Sequence, residues 1–290
     1  MLIQRIITAV VLASLIALAV FKLSATYFSL IIAAITLLAG WEWTNLANFR
    51  TLRKKVLFIV GMLIPMTIIH FWTQILEVVA TFSDIPEVRD YSGILEWLVI
   101  PPIIFWILTM LLIRNSSTGL LQLQLKDSHK MFIGWGVLLA AWLFLSRLRA
   151  FYPTEVTMYF LVLIWSADIA AYFAGKKYGK TKLAPDISPG KTIAGMYGAL
   201  LSSVICALVF SVMFKFPFII ASDFILLSAL TVLLSIYGDL FFSLAKRIRG
   251  VKDSGVLVPG HGGVLDRIDS LIAAIPFFYA GVFLIYWSLL

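Results

Sequence analysis

The chain has 290 residues, 61% of them hydrophobic and only 13% charged, with a formal net charge of +8. Soluble domains carry about 25% charged residues, so an ordinary soluble globule is excluded. Apolar runs of about 18–25 residues recur along the chain. They exclude a β-barrel, whose strands are shorter and alternate, and they point to an all-α polytopic integral membrane protein. The single cysteine, Cys206, lies in an apolar run, which excludes an internal disulfide and a Cys-rich metal site. The basic excess reads as attraction to an anionic membrane surface and as a topology signal. No nucleic-acid partner is expected.

Nine transmembrane helices are predicted, at about 5–22, 26–46, 56–72, 97–113, 131–148, 156–175, 192–214, 220–246 and 264–289. The first has a basic flank in Arg5, but it is long for a signal peptide and a second span follows at once. It is therefore read as a retained helix. There is no internal repeat, low-complexity tract or soluble domain. The chain reads as one membrane domain, with N-terminal helices over 1–150 and a catalytic part over 151–290. Trp41, Trp43, Trp72, Trp97 and Trp287 lie near span ends, where interfacial aromatics belong.

Orientation follows from Lys and Arg. With the N-terminus in the cytoplasm, 18 of the 23 basic residues fall on the cytoplasmic side, and only Lys22, Arg89, Arg147, Arg149 and Lys215 fall on the other. The opposite side collects Glu77, Asp84, Glu87, Asp90 and Glu96. Segments 176–191 and 247–263 then both emerge in the cytoplasm, so a water-soluble substrate that they share is cytosolic.

In chain order, the first chemistry-bearing group is Asp168 with Tyr172. They are i, i+4 on one helix face, inside a span but near its cytoplasmic third. An acid at membrane depth is a functional candidate; a hydrogen bond to a neighbouring helix is the plain alternative. Next is Ser188-Pro-Gly-Lys191-Thr192, at the entry to a span. It lacks the Walker spacing, and its lysines also satisfy the topology rule with no ligand. Asp239, Ser243, Lys246 and Arg247 then fall at i, i+4, i+7 and i+8 on one face of the next helix. A salt bridge within this set is the structural alternative to a ligand site. A glycine-rich turn, Gly255 to Gly263 with His261, leads into a helix N-terminus that could present N–H groups to an anion or simply reverse the chain. Asp266 and Asp269, three apart, share a face of that last helix, and with Asp239 they could give three oxygen donors to a hard divalent cation.

The stretch from Ser243 to Asp269 reads S-x-x-K-R-x-x-x-x-K-D-x-x-x-x-x-P-x-H-G-G-x-x-D-R-x-D. It closely resembles the signature of the phosphatidate cytidylyltransferases (CDP-diacylglycerol synthases). The W-x-x-D-x-x-A-Y and S-P-x-K-T motifs precede it in the family's order, so the resemblance covers about 165–270. One departure stands out. The family's S-P-x-K-T usually continues to Glu-Gly, whereas here Ala194 precedes Gly195, so the glutamate is absent or its role is supplied elsewhere.

The resemblance implies a nucleotidyltransferase that makes CDP-diacylglycerol and pyrophosphate from CTP and phosphatidic acid, for phospholipid biosynthesis, at the cytoplasmic face of a bacterial inner (cell) membrane. It implies catalytic roles for Asp239, Lys246, Arg247, Lys252, Asp253, His261, Asp266, Arg267 and Asp269. Substrate contacts are implied for Asp168, Tyr172, Ser188, Lys191, Thr192, Ser243, Gly262 and Gly263. Mg²⁺ would be held by Asp239, Asp266 and Asp269, with a second cation possible in the site, and the protein would be a homodimer among membrane lipids. Two other classes fit the composition: a CTP-consuming lipid or polyprenol kinase, and a cation-coupled transporter with Asp168 and Asp239 on its ion path. Paired halves with broken helices, common in transporters, are not found.

Overall fold

The computed structural model describes residues 2–83, 85–258 and 262–287. The chain is helical throughout except for one small hairpin. The helices are α1 (Leu2–Lys22), α2 (Ala25–Leu46), α3 (Leu52–His70), α4 (Trp72–Ser83), α5 (Ile94–Trp97), α6 (Ile100–Leu121), α7 (Asp127–Phe151), α8 (Thr154–Tyr178), α9 (Ile193–Met213), α10 (Phe218–Arg249) and α11 (Leu265–Trp287). By length and composition seven described helical segments can cross a membrane, or eight if the bent pair α3–α4 counts as one span. The expectation of about nine adds α1. Large apolar side chains such as Leu208, Val212, Leu226 and Ile219 lie on the outside. That is the arrangement a lipid environment stabilises and water does not.

Two elements differ from the sequence reading. Segment 73–96, read as a polar connection, folds as α4, a 3₁₀ stretch (Pro86–Gly93) and α5, with a 63° bend between α3 and α4. Segment 176–191, read as a loop, holds an antiparallel hairpin of β1 (Lys182–Ala184) and β2 (Ser188–Thr192). Ala184 and Ile187 of this hairpin are buried against Tyr237, Leu240 and Leu244 of α10. That apolar contact seats a polar hairpin on the end of a membrane helix.

One hydrophobic core runs through both halves of the chain, with Phe28, Met62, Trp106, Leu138, Phe160 and Phe278 fully or nearly fully buried in it. Indole donors tie the N-terminal helices together: Trp142 Nε1 donates to Ser29 O at 3.1 Å and Trp135 Nε1 to Phe58 O at 2.9 Å. Trp43, expected at the membrane interface, is buried instead. Its ring stacks on Phe241 at 6.0 Å, and its Nε1 donates to Lys130 O. A buried indole needs such a partner for its N–H.

The bundle has two chemically distinct ends. At one, Lys54 pairs with Asp127, Lys55 donates to Asn45 Oδ1, Lys130 to Ala47 O and Arg249 to Asn45 O. These residues come from segments assigned to one side of the membrane by their charge. At the other end Arg149 donates to Val20 O and Leu23 O, and Arg147 pairs with Glu96.

Candidate active site

The site is built where α10 and α11 touch. Gly238 permits the contact: a Cβ there would lie 2.3 Å from Ala273 Cβ and 3.1 Å from Asp269 O. With no side chain between the helices, α10 and α11 pack closely beside Asp239 and Asp269. Asp269 is buried at 8% exposure, and its Oδ1 accepts from Ser270 N. Asp239 accepts from Ser243 Oγ at 3.1 Å, one turn along, and pairs through Oδ2 with Lys191 Nζ at 2.8 Å. Lys191 reaches in from β2 and also donates to Ile236 O at 2.9 Å. The hairpin therefore delivers a cation to an intramembrane carboxylate, which is otherwise costly to hold. Asp168 of α8 is accessible and within electrostatic reach of Lys191, Asp239 and Arg267.

A second ion pair lies one turn toward the basic end. Lys246 Nζ is 2.7 Å from Asp266 Oδ1, with side-chain exposures of 12% and 6%. The other oxygen of Asp266 accepts from Ser254 N at 2.8 Å, Ser254 Oγ at 3.0 Å and Gly263 N at 3.0 Å. Asp239, Ser243 and Lys246 share one face of α10 as the spacing predicts.

Several predicted site residues have partners that the sequence did not show. Both oxygens of Asp266 are engaged, by Lys246 and by the loop, as both of Asp239 are by Ser243 and Lys191. Among the described residues no group of three or more His, Cys, Asp or Glu side chains is disposed to hold a metal ion. Asp239 adjoins Gly238, and the carbonyl of Asp269 lies against that glycine, so both residues belong to the same helix contact; Mg²⁺ is commonly held by one or two carboxylates with phosphate oxygens and water. Arg247 turns away from the site stripe, and its Nε donates to Ile187 O at 3.1 Å, bracing the hairpin. Thr192 is the N-cap of α9: its buried hydroxyl accepts from Gly195 N at 3.1 Å, the usual service of a threonine at that position. Tyr172 is 62% exposed and lies against Phe173 and Lys176. Ser188 opens β2 opposite Ala184. Lys252, Asp253 and Arg267 are exposed around the same end. His261 lies outside the described residues.

The glycine-rich turn also differs from expectation. The N-terminal amides of α11 do not face an open anion site. Val264 N and Leu265 N donate to Glu42 Oε1 and Oε2 at 2.9 and 2.8 Å, and Ser254 Oγ donates to Glu42 Oε2 at 2.9 Å. Gly263 is required there: a Cβ would fall 2.3 Å from Glu42 Oε2 and 2.2 Å from Ser254 Oγ. Gly262 carries φ +84 and closes the turn, with its carbonyl accepting from Val258 N. Glu42 was not singled out in the sequence. The available signal was a lone acid in the apolar run of α2, between Trp41 and Trp43.

Paired lysines and carboxylates at the basic end of a membrane bundle suit phosphate chemistry on a lipid. Residues 3–285 match the cytidylyltransferase family. The chain belongs to that family. It is 36% identical to the phosphatidate cytidylyltransferase of Haemophilus influenzae over 297 residues, which cover 96% of this chain and 97% of that one. It is 35% identical to the enzyme of the same name from Pseudomonas aeruginosa, over 99% of both chains. A shorter match, 43% identical over 131 residues, links it to the Bacillus subtilis phosphatidate cytidylyltransferase across 44% of this chain and 47% of that one.

Proposed function

We propose that the chain transfers the cytidylyl group of CTP to phosphatidate, giving CDP-diacylglycerol and pyrophosphate. The observation that carries this reading is the convergence of Lys191–Asp239 and Lys246–Asp266 beside Asp269 at the basic end of the bundle. A phosphatidate oxygen attacks the α-phosphorus of CTP, and the bond from that phosphorus to the bridging oxygen of the leaving pyrophosphate breaks. A phosphate monoester has a second pKa near about 6, so the nucleophile is largely dianionic at neutral pH and needs no general base. The work left to the protein is positioning and charge neutralisation. Lys191 and Lys246, already fixed by their carboxylates, offer charge to the phosphates with little reorganisation, and Lys252 and Arg267 extend the basic surface around them.

Mg²⁺ held between Asp239 and Asp269 would neutralise triphosphate oxygens. A second cation in the site and a homodimeric assembly belong to the same proposal, on the strength of the resemblance. The positive-inside rule supports a cytoplasmic setting for the basic end, and the bacterial relatives support an inner membrane as its location. Single cysteines at Ser188 and Val256, in a Cys206→Ala background, test that face. Val256 is 91% exposed. Both positions are to label from the cytoplasmic side only; labelling from the other side overturns the orientation.

The reaction is tested with purified protein, phosphatidic acid, labelled CTP and Mg²⁺, followed by lipid extraction. Equal amounts of CDP-lipid and pyrophosphate are expected. A phosphorylated lipid with free CDP would make the protein a kinase. Ion flux in proteoliposomes without nucleotide consumption would make it a transporter.

A further inference from the structure

Glu42 lies in the N-terminal half, in an otherwise apolar stretch of α2, yet its side chain ends inside the C-terminal loop. It is 2% exposed. Among the described residues three donors converge on it: Ser254 Oγ, Val264 N and Leu265 N. No lysine or arginine hydrogen bond to Glu42 accompanies them among the described residues. A buried carboxylate in such a place is normally stabilised by a cation. Here two backbone amides at the positive end of the α11 dipole and one hydroxyl take that part. The loop is shaped to admit the group, since a side chain at Gly255 or Gly263 would fall within 2.4 Å of its oxygens.

Ser254 links this carboxylate to the site. Its Oγ lies 2.9 Å from Glu42 Oε2 and 3.0 Å from Asp266 Oδ2, and its N–H also donates to Asp266. A hydroxyl has one proton, so it can donate to only one of the two carboxylates at a time. Asp266 in turn holds Lys246. An unbroken chain therefore runs from α2 through Glu42, Ser254 and Asp266 to Lys246 on α10, and it fixes the first turn of α11, from which Asp269 projects one turn further on.

We infer that Glu42 is a positioning residue for cytidylyl transfer: an internal carboxylate that occupies the α11 N-terminus, keeps that anion site from substrate phosphate, and sets Lys246 and Asp269 in register with Asp239. The inference rests on the reaction proposed above. It assigns to α2, outside the signature, a part in the catalytic geometry. It also says that substrate phosphates are held by side-chain cations and not by the α11 amides.

The test is Glu42→Gln, which keeps size but removes the charge and puts an NH₂ in place of one of the two acceptor oxygens, together with Gly263→Ala and the double variant. Turnover, KM for CTP, detergent melting and hydrogen exchange are measured on each. For Glu42→Gln, kcat is expected to fall by about 30-fold or more while KM for CTP stays within about 3-fold, the pattern of an interaction used in the transition state. Exchange in 254–266 should rise, while the α8–α9 pair stays protected. The double variant should be no worse than the poorer single variant, because both break one contact. The inference is overturned if activity follows the folded fraction, if KM rises as much as kcat falls, if exchange in 254–266 is unchanged, or if the two losses multiply. Wild-type protein that makes no CDP-lipid would overturn the reaction instead, and the two failures are thereby distinct.

Discussion

The two ends of the bundle both bury charge, and they do so differently. At the end away from the basic segments, Glu96 of α5 receives Arg147 through Nε and a terminal nitrogen, and Tyr279 donates to its other oxygen. One carboxylate meets one guanidinium and one phenol, and Arg147 also stacks over Phe151 at 4.7 Å. The cluster is neutral and closed. At the basic end, Asp168, Asp239, Asp266 and Asp269 stand with Lys191 and Lys246, and the Lys191–Asp239 pair is only partly buried. A saturated cluster ties helices together. The basic end gathers more charged groups than a tie between helices needs, the pattern of a functional site.

The comparison can be broken in order of effect. Removing divalent cations with excess chelator should abolish CDP-diacylglycerol formation, since the proposed reaction uses a cation at Asp239 and Asp269; full turnover after verified metal removal would sink that role. Next, Asp239→Asn should lower kcat by about 100-fold or more with melting near that of the wild type, because it leaves Ser243 and Lys191 a polar partner. Melting far below wild type, with activity following the folded fraction, would make Asp239 structural.

Asp266→Asn is expected to behave otherwise. It strips the charge opposite buried Lys246 and disturbs the Ser254 and Gly263 bonds, so stability should fall by about 3 kcal/mol or more, read as a lower melting temperature. Unchanged melting would return Asp266 to the role of a pure ligand. At the closed end, Glu96→Gln should cost about 2–4 kcal/mol but leave turnover per folded molecule intact, and a selective loss of kcat would show that the outer cluster takes part in function. Smallest of all, Lys126→Gln, exposed at the start of α7, should change neither melting nor turnover, a statement that either assay can refute.

Composition and periodicity were enough to make this chain a polytopic helical membrane protein. A run of about 20 apolar residues cannot satisfy its backbone in lipid except as a helix, so the spans of α2 and α6–α11 were legible one by one. The motif from Ser243 to Asp269 disclosed the family, since a dozen identities at fixed spacing lie on one continuous stretch. Local periodicity also placed Asp239, Ser243 and Lys246 on a single face.

Partners far apart in sequence were decided only by packing. Lys191 meets Asp239 across 48 positions, and Glu42 meets Leu265 across 223; no local pattern encodes either distance. The same holds for what each residue is free to do. Asp266 is engaged by a loop and Lys246, Thr192 caps a helix, and the α11 amides, open in the sequence reading, are filled by an acid from α2. Sequence supplies the chemical groups and their spacing along the chain. Whether a donor or acceptor is already satisfied depends on which helices come within hydrogen-bond reach, and close contacts such as Gly238 against Ala273 set that reach.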